Sequence, residues 1–328
     1  METNNKKQID ISVIVPIYNE EQIIPELYER LHKTVVQISE HYELIFVNDG
    51  SEDYSLLELI KLSEQDDRVF YINFSRNFGH QIAVTAGLDA CKGKAVVIID
   101  GDLQDPPELI TDLYAKYKEG YEVVYAKRAE RKGESFFKKS TAKLFYRVLK
   151  RITSINIPMD TGDFRLIDQK VVHYLKQMSE QNKFLRGQIA WLGFRQTQVL
   201  FNRDKRKYGK TGYSLGKMLH FAMDGITGFS DKPLQMVTKL GFIISFISFV
   251  IILYAVYSYF ILDRTITGWT SLIISSMFIG GVQLISIGVI GEYISRINKN
   301  VLKRPMYIVE KSNIKKSNKA EVKKYAEI

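Results

Sequence analysis

The 328-residue chain is 45% hydrophobic and 25% charged, with a formal net charge of +9 at neutral pH and one cysteine. These values exclude a disordered or disulfide-stapled polypeptide, and the lone Cys91 leaves neither an intramolecular disulfide nor a cysteine-based zinc cluster. A reducing, cytosolic face suits that cysteine usage, and the polar opening of residues 1–10 does not read as a signal peptide.

In chain order, Ile11-Ser12-Val13-Ile14-Val15-Pro16 is the first predicted strand, and Asn19-Glu20-Glu21 opens a helix to about Ser39. Residues 43–47 form a second strand, closed by the turn and cap cluster Asn48-Asp49-Gly50-Ser51. A helix from about Tyr54, a strand over 69–74 and a helix from His80 to Cys91 follow. Residues 95–99 form a strand, 107–118 a helix and 122–126 another strand. Strands alternating with helices predict an α/β fold with a mostly parallel sheet covered on both faces.

The fourth strand runs into Asp100-Gly101-Asp102-Leu103-Gln104-Asp105-Pro106-Pro107. Four apolar β-formers fit a strand buried on both faces, and Gly101 lets the chain turn. Oxygen ligands then gather at a strand's C-terminal edge, where ligands of open α/β sheets sit. Asp102 and Gln104 suit a hard divalent cation, which is typically held by one or two carboxylates plus substrate phosphates.

Positive charge is concentrated in three places. Residues 127–151 carry ten basic and two acidic side chains, 203–217 six and one, and 296–328 ten and three. Residues 136–151 have a basic amphipathic pattern suited to a membrane interface. Basic patches beside apolar segments favour anionic lipids, and no nucleic-acid motif accompanies them. Helices are expected over 171–178 and 184–192, a strand over 196–201, and an amphipathic helix over 215–229.

Two nearly charge-free runs, about 237–262 and 270–292, are each long enough to cross a bilayer and are joined by a short polar connector, which predicts a transmembrane hairpin. Basic outer flanks place the preceding domain and both termini in the cytoplasm, as expected of a multi-pass protein of the cell (inner) membrane. The expected domains are 1–202 (catalytic), 203–232 (basic loop and juxtamembrane helix), 233–296 (hairpin) and 297–328 (basic tail, disordered after Lys311). Gly280-Gly281 and Gly288-x-x-Gly291 allow close helix approach and a homo-oligomer contact.

Five motifs occur in order: Val15-Pro16-Ile17-Tyr18-Asn19-Glu20, Asn48-Asp49-Gly50-Ser51, Ser75-Arg76-Asn77-Phe78-Gly79, Asp100 to Pro107, and Thr161-Gly162-Asp163-Phe164-Arg165-Leu166. Together they resemble glycosyltransferase family 2, of GT-A fold (Rossmann-like, with flanking helices). With the two C-terminal spans, the resemblance narrows to the polyprenyl-phosphate glycosyltransferases, relatives of dolichol-phosphate mannose synthase and the phage-type bactoprenol glucosyltransferases. It covers about residues 9–310.

The resemblance implies an enzyme moving glucose or N-acetylglucosamine, with inversion, from a UDP-sugar to undecaprenyl phosphate. Pro16, Tyr18 and Glu20 would line the nucleotide pocket, Asp49 would accept a hydrogen bond from the base, and Asp100 would face the ribose and diphosphate. Asp102 and Gln104 would hold Mg²⁺ or Mn²⁺. Arg128, Arg203, Arg206 and Lys210 would contact donor or acceptor phosphates, and Asp163 would lie near the anomeric carbon, where it would either orient the acceptor or sugar or act as a base. The bland alternative for Asp163 is a helix N-cap or an ion pair with Arg165, and His80 and His173 read as ordinary packed or surface histidines. A processive polysaccharide synthase would carry Gln-x-x-Arg-Trp, whereas this chain has Gln188-Ile189-Ala190-Trp191 and two spans. A non-catalytic membrane adaptor would not need an intact Asp-x-Asp-x-Gln.

Overall fold

In the computed structural model, residues 8–129, 161–201, 227–228, 230–261 and 268–314 are described. The chain divides into two compact units: residues 1–140, 157–213 and 304–328 form one, and 141–156 with 214–303 form the other.

Among the described residues, the first unit is built on an eight-stranded sheet. Its strands are β1 (Ile11–Ile17), β2 (Tyr42–Asn48), β3 (Val69–Phe74), β4 (Ala95–Ile98), β5 (Val123–Arg128), β6 (Thr161–Asp168), β7 (Gln196–Phe201) and β8 (Val309–Ser312). They lie in the order β7-β5-β6-β4-β1-β2-β3-β8. Strands β4, β1, β2 and β3 run parallel, with Ile11 opposite Tyr42 on one side and Ala95 on the other. Among the described residues, all three antiparallel pairings involve β6 or β8, the two strands absent from the sequence-based expectation.

Helices α1 (Ile24–Val36), α2 (Ser55–Gln65), α3 (His80–Ala90) and α4 (Ile110–Lys118, entered through a 3-10 turn) follow the first four strands. Then come α5 (Gln169–Gln177) and α6 (Leu185–Trp191). Side chains alternate across β1, so Val13, Val15 and Ile17 join Ile24, Leu27 and Leu31 of α1 on one face. Ile14 points the other way, into a core with Val84 and Leu88 of α3 and Val172 of α5. With both faces covered, the central strands read as continuous apolar runs. The cap of α5 is Asp168, whose side chain accepts from the Lys170 N–H at 2.7 Å.

The second unit contains α7 (Lys232–Phe260) and α8 (Trp269–Leu302), of 29 and 34 residues. Both hold windows long and apolar enough to cross a membrane, and their large apolar side chains are exposed along their length. Helix α8 continues about ten residues beyond the span expected from hydropathy, through Glu292, Arg296 and Lys299. The basic amphipathic helix expected over 136–151, and most of that expected over 215–229, lie outside the described residues.

Candidate active site

The chain passes from β1 to β2 and β3 on one side, then returns to place β4 on the other side of β1. The crevice above β1 and β4 is therefore a topological switch point, the position at which open α/β sheets bind ligands. The loop after β1 carries Tyr18, Asn19 and Glu20, and the loop after β4 carries Asp100 to Gln104.

Gly101 brings these loops together. A Cβ there would stand 2.7 Å from Ile17 Cδ1 and 3.1 Å from the Pro16 carbonyl, so any side chain would displace Ile17 and press on the β1 backbone. The backbone is strained on both sides of the crevice. Among described non-glycine residues only Asn19 (φ 56°), Leu103 (φ 53°) and Lys303 have positive φ, and the first two sit in these loops. Asn19 is held by its N–H to Ser51 Oγ (2.9 Å) and by the Glu52 N–H to its Oδ1 (2.9 Å). Leu103 buries its side chain, 5% exposed, between Asp102 and Gln104. The Gln104 N–H donates to Asp102 Oδ1 at 3.1 Å, closing the turn.

Opposite this turn lies a charge cluster that spacing alone did not reveal. Gly79 (φ 104°) starts α3, making His80 its first residue. His80 Nε2 lies 3.4 Å from Asp100 Oδ1 and 3.2 Å from Asp163 Oδ2. Asp163 sits on β6, so the bland N-cap alternative does not hold there. Its Oδ1 accepts from Arg186 Nε at 2.8 Å and its Oδ2 from Gln81 Nε2 at 3.0 Å. Arg165 Nη2 stands 3.7 Å from Oδ1, so the ion pair with Arg165 exists as one contact of several. Residues 80, 81, 100, 163 and 186 thus meet at one point. His80, expected to be ordinary, is central to the cluster, whereas His173 is a surface histidine beside Gln177.

The electrostatics follow from this arrangement. Burial disfavours the His80 imidazolium, but Asp100 and Asp163 outweigh it and raise its pKa to about 9. Burial would also neutralise Asp163, yet Arg186 first, then His80 and Arg165, hold its carboxyl well below the usual range. Asp100 is shifted upward by burial, offset in part by His80. Burial lowers the Arg165 guanidinium to about 10, still cationic at neutral pH.

Pro16 is buried at the end of β1, and Tyr18 is 46% exposed beside it. The Glu20 N–H donates to Ser55 Oγ at 3.0 Å. Asp49 is 3% exposed, and its carboxylate accepts from the N–H groups of Phe78 (2.7 Å) and Gly79 (2.9 Å), tying the β3–α3 loop to β2. Arg128 ends β5 and, with Asp105, flanks Gly162. Arg203, Arg206 and Lys210 lie outside the described residues.

The donor chemistry fits a hard divalent ion. Asp102 can offer carboxylate oxygen and Gln104 its amide oxygen, and Asp100 Oδ1, although 3.4 Å from His80 Nε2, is buried and accepts no hydrogen bond among the described residues. Among those residues no three His, Cys, Asp or Glu side chains converge as a complete cage. A site that leaves most coordination positions to substrate phosphates and water is the usual Mg²⁺ arrangement.

Comparison with known proteins agrees with this geometry. The profile of "Glycosyl transferase family 2" matches residues 12–175. The uncharacterized glycosyltransferase YkcC of Bacillus subtilis is 53% identical over 306 residues, covering 93% of this chain and 95% of its own. A Synechocystis glycosyltransferase is 47% identical, covering 92% and 95%. The SfII prophage-derived bactoprenol glucosyl transferase of Shigella flexneri is 39% identical, covering 92% and 98%. A switch-point crevice with an Asp-x-Asp-x-Gln turn, on a mixed sheet of GT-A type and within that pattern of similarity, places the chain in glycosyl transferase family 2.

Proposed function

We propose that this glycosyltransferase moves glucose or N-acetylglucosamine, with inversion, from a UDP-sugar to undecaprenyl or another polyprenyl phosphate at the cytoplasmic face of the cell membrane. The observation that carries this reading is the strained Asp100–Gln104 turn in the β1/β4 crevice, facing the cationic cluster of His80, Arg165 and Arg186. Similarity to a bactoprenol glucosyl transferase along nearly its whole length, and two exposed apolar helices, support a lipid-linked acceptor.

In the proposed reaction an acceptor phosphate oxygen attacks the sugar's anomeric carbon, and the bond from that carbon to the UDP β-phosphate oxygen breaks. Mg²⁺ or Mn²⁺ held by Asp102 and Gln104 would neutralise charge on the departing diphosphate as a Lewis acid. Arg128, with Arg203, Arg206 and Lys210, would supply fixed positive charge to the phosphates. A phosphate monoester has its second pKa near ~6, so the acceptor is mostly dianionic at neutral pH and brings no proton that must be removed.

Asp163 then needs no role as a base. Ionised and loaded with donors, it orients Arg186, Gln81 and His80 around the sugar. Pro16, Tyr18, Glu20 and Asp100 would form the nucleotide side of the crevice, with Asp49 shaping it through the Phe78–Gly79 loop as well as serving the base.

The test is incubation of the detergent-purified full chain with undecaprenyl phosphate and a panel of nucleotide sugars. A glycolipid heavier by one hexose or N-acetylhexosamine, formed from a UDP-sugar, is the expected result. A polymeric product, a strict requirement for a GDP-sugar, or no transfer from any donor would overturn the proposal.

A further inference from the structure

Strand β8 follows the second apolar helix in the chain and adds to the free edge of β3. It is docked by side chains as well as backbone. Tyr307 stacks on Phe74 with ring centroids 5.1 Å apart and donates from its hydroxyl to Asp89 at 2.9 Å. Asn313 bonds the Tyr71 N–H and the Val69 carbonyl. The β3–β8 register pairs Asn73 with Lys311 and Phe74 with Val309, so Glu310 is the extra residue of a bulge. Bulges recur where a side chain must be re-aimed, and here Glu310 Oε2 accepts from Asn73 Nδ2 at 2.8 Å.

From that carboxylate a hydrogen-bond chain runs across the sheet. Asn73 Oδ1 accepts from Asn48 Nδ2 at 2.7 Å, Asn48 Oδ1 accepts from the Ser51 hydroxyl, and Ser51 Oγ accepts from the Asn19 N–H at 2.9 Å. Asn48 and Asn73 are 1% and 4% exposed, so water does not substitute for these partners. Every donor points toward Glu310. A carboxylate only accepts, so it obliges Asn73 to present its NH₂ group, which leaves Asn73 Oδ1 for Asn48 and fixes the polarity of each link in turn. Bonds aligned in this way polarise one another, and an ionised terminus strengthens the first of them. The far end is Asn19, the positive-φ residue between Tyr18 and Glu20.

We infer that Glu310 is a remote positioning residue for the nucleotide pocket: through Asn73, Asn48 and Ser51 it fixes the strained conformation of the β1–α1 loop, making the strand after the apolar helices a structural part of the donor site. The loop geometry is read directly from the structure, while the consequence for donor binding rests on the proposed function.

The experiment compares full-length wild type, Glu310→Ala and Glu310→Gln in detergent, by hydrogen–deuterium exchange without ligand and by calorimetric titration with UDP and Mg²⁺. In Glu310→Ala, exchange at residues 18–23 should rise while β8 stays protected, and UDP should bind about three- to tenfold more weakly, the scale of one ordinary hydrogen bond. Glu310→Gln keeps an acceptor oxygen and should restore most of both. Unchanged exchange at 18–23, or a rise confined to β8, overturns the inference whatever UDP does. Absence of UDP binding by wild type would count against the proposed function alone.

Discussion

Replacing His80 by alanine tests the charge cluster most severely. Its Nε2 stands 3.2 Å from Asp163 and 3.4 Å from Asp100. At an effective dielectric constant of about 20, each such pair is worth roughly 5 kcal/mol before desolvation is counted. The imidazole side chain is 41% exposed, so solvent screens much of that. Truncating one member of a buried hydrogen-bonded charge pair costs about 2–5 kcal/mol, and the exposure places His80 at the low end, about 2 kcal/mol or a thirtyfold fall in kcat/KM.

The pH dependence carries the sign. The folded pKa, about 9, lies above the ordinary histidine value of 6.5, so the imidazolium stabilises the folded cluster fully below the unfolded pKa. That contribution is lost as pH rises through about 9. Wild type should therefore show an alkaline limb in kcat/KM near pH 9, and His80→Ala should run lower without it. His80→Gln, which keeps a neutral donor, should fall between the two. The assay is initial-rate transfer across pH with thermal unfolding recorded for each variant. Activity of His80→Ala within twofold of wild type at pH 7.5, or the same alkaline limb in both proteins, would rule out a working imidazolium at this position.

Further expectations concern single groups. Asp102→Asn should lower transfer by about 10²-fold or more while detergent extraction and helix content stay unchanged, and chelation followed by Mg²⁺ or Mn²⁺ should erase and restore wild-type activity; full activity in the variant or in chelator would contradict the metal assignment. Asp163→Asn should slow the reaction without removing any acid limb above about pH 5, because the carboxyl is held far below that range; a limb that vanishes in the variant would make Asp163 the base. Gly50→Ala should cost about 2–4 kcal/mol of stability, since φ is +66° and the new Cβ would fall 2.4 Å from the Arg76 carbonyl carbon. Gly120→Ala, at φ +92° with nothing nearer than 3.8 Å, should cost about 1 kcal/mol. Equal melting shifts for the two glycine variants would contradict the close-approach account.

How much of this was legible in the sequence depended on the kind of signal. Strands β1 to β4 are buried on both faces, so their apolar runs stand out, and residues 69–74 and 196–201 fall on β3 and β7. Strand β6 was hidden because Asp163 and Arg165 interrupt its apolar side chains with charges that serve the site. Strand β8, Val-Glu-Lys-Ser, is short, polar and at an edge, and resembles a solvated tail. The Asp-x-Asp-x-Gln turn was legible because its members are neighbours in the chain. The contacts of His80, Gln81 and Arg186 with Asp163 were not, because they depend on β6 lying beside β4, which no local spacing encodes.

In the proposed reaction a phosphate oxygen of a lipid acceptor attacks the anomeric carbon of a nucleotide sugar in the β1/β4 crevice. Phosphorus NMR of the purified glycolipid product tests it directly, read together with proton couplings at the anomeric position. The acceptor's phosphomonoester signal should be replaced by a phosphodiester, with anomeric configuration opposite to the donor's. A product that keeps its monoester, or retains the donor configuration, would contradict it.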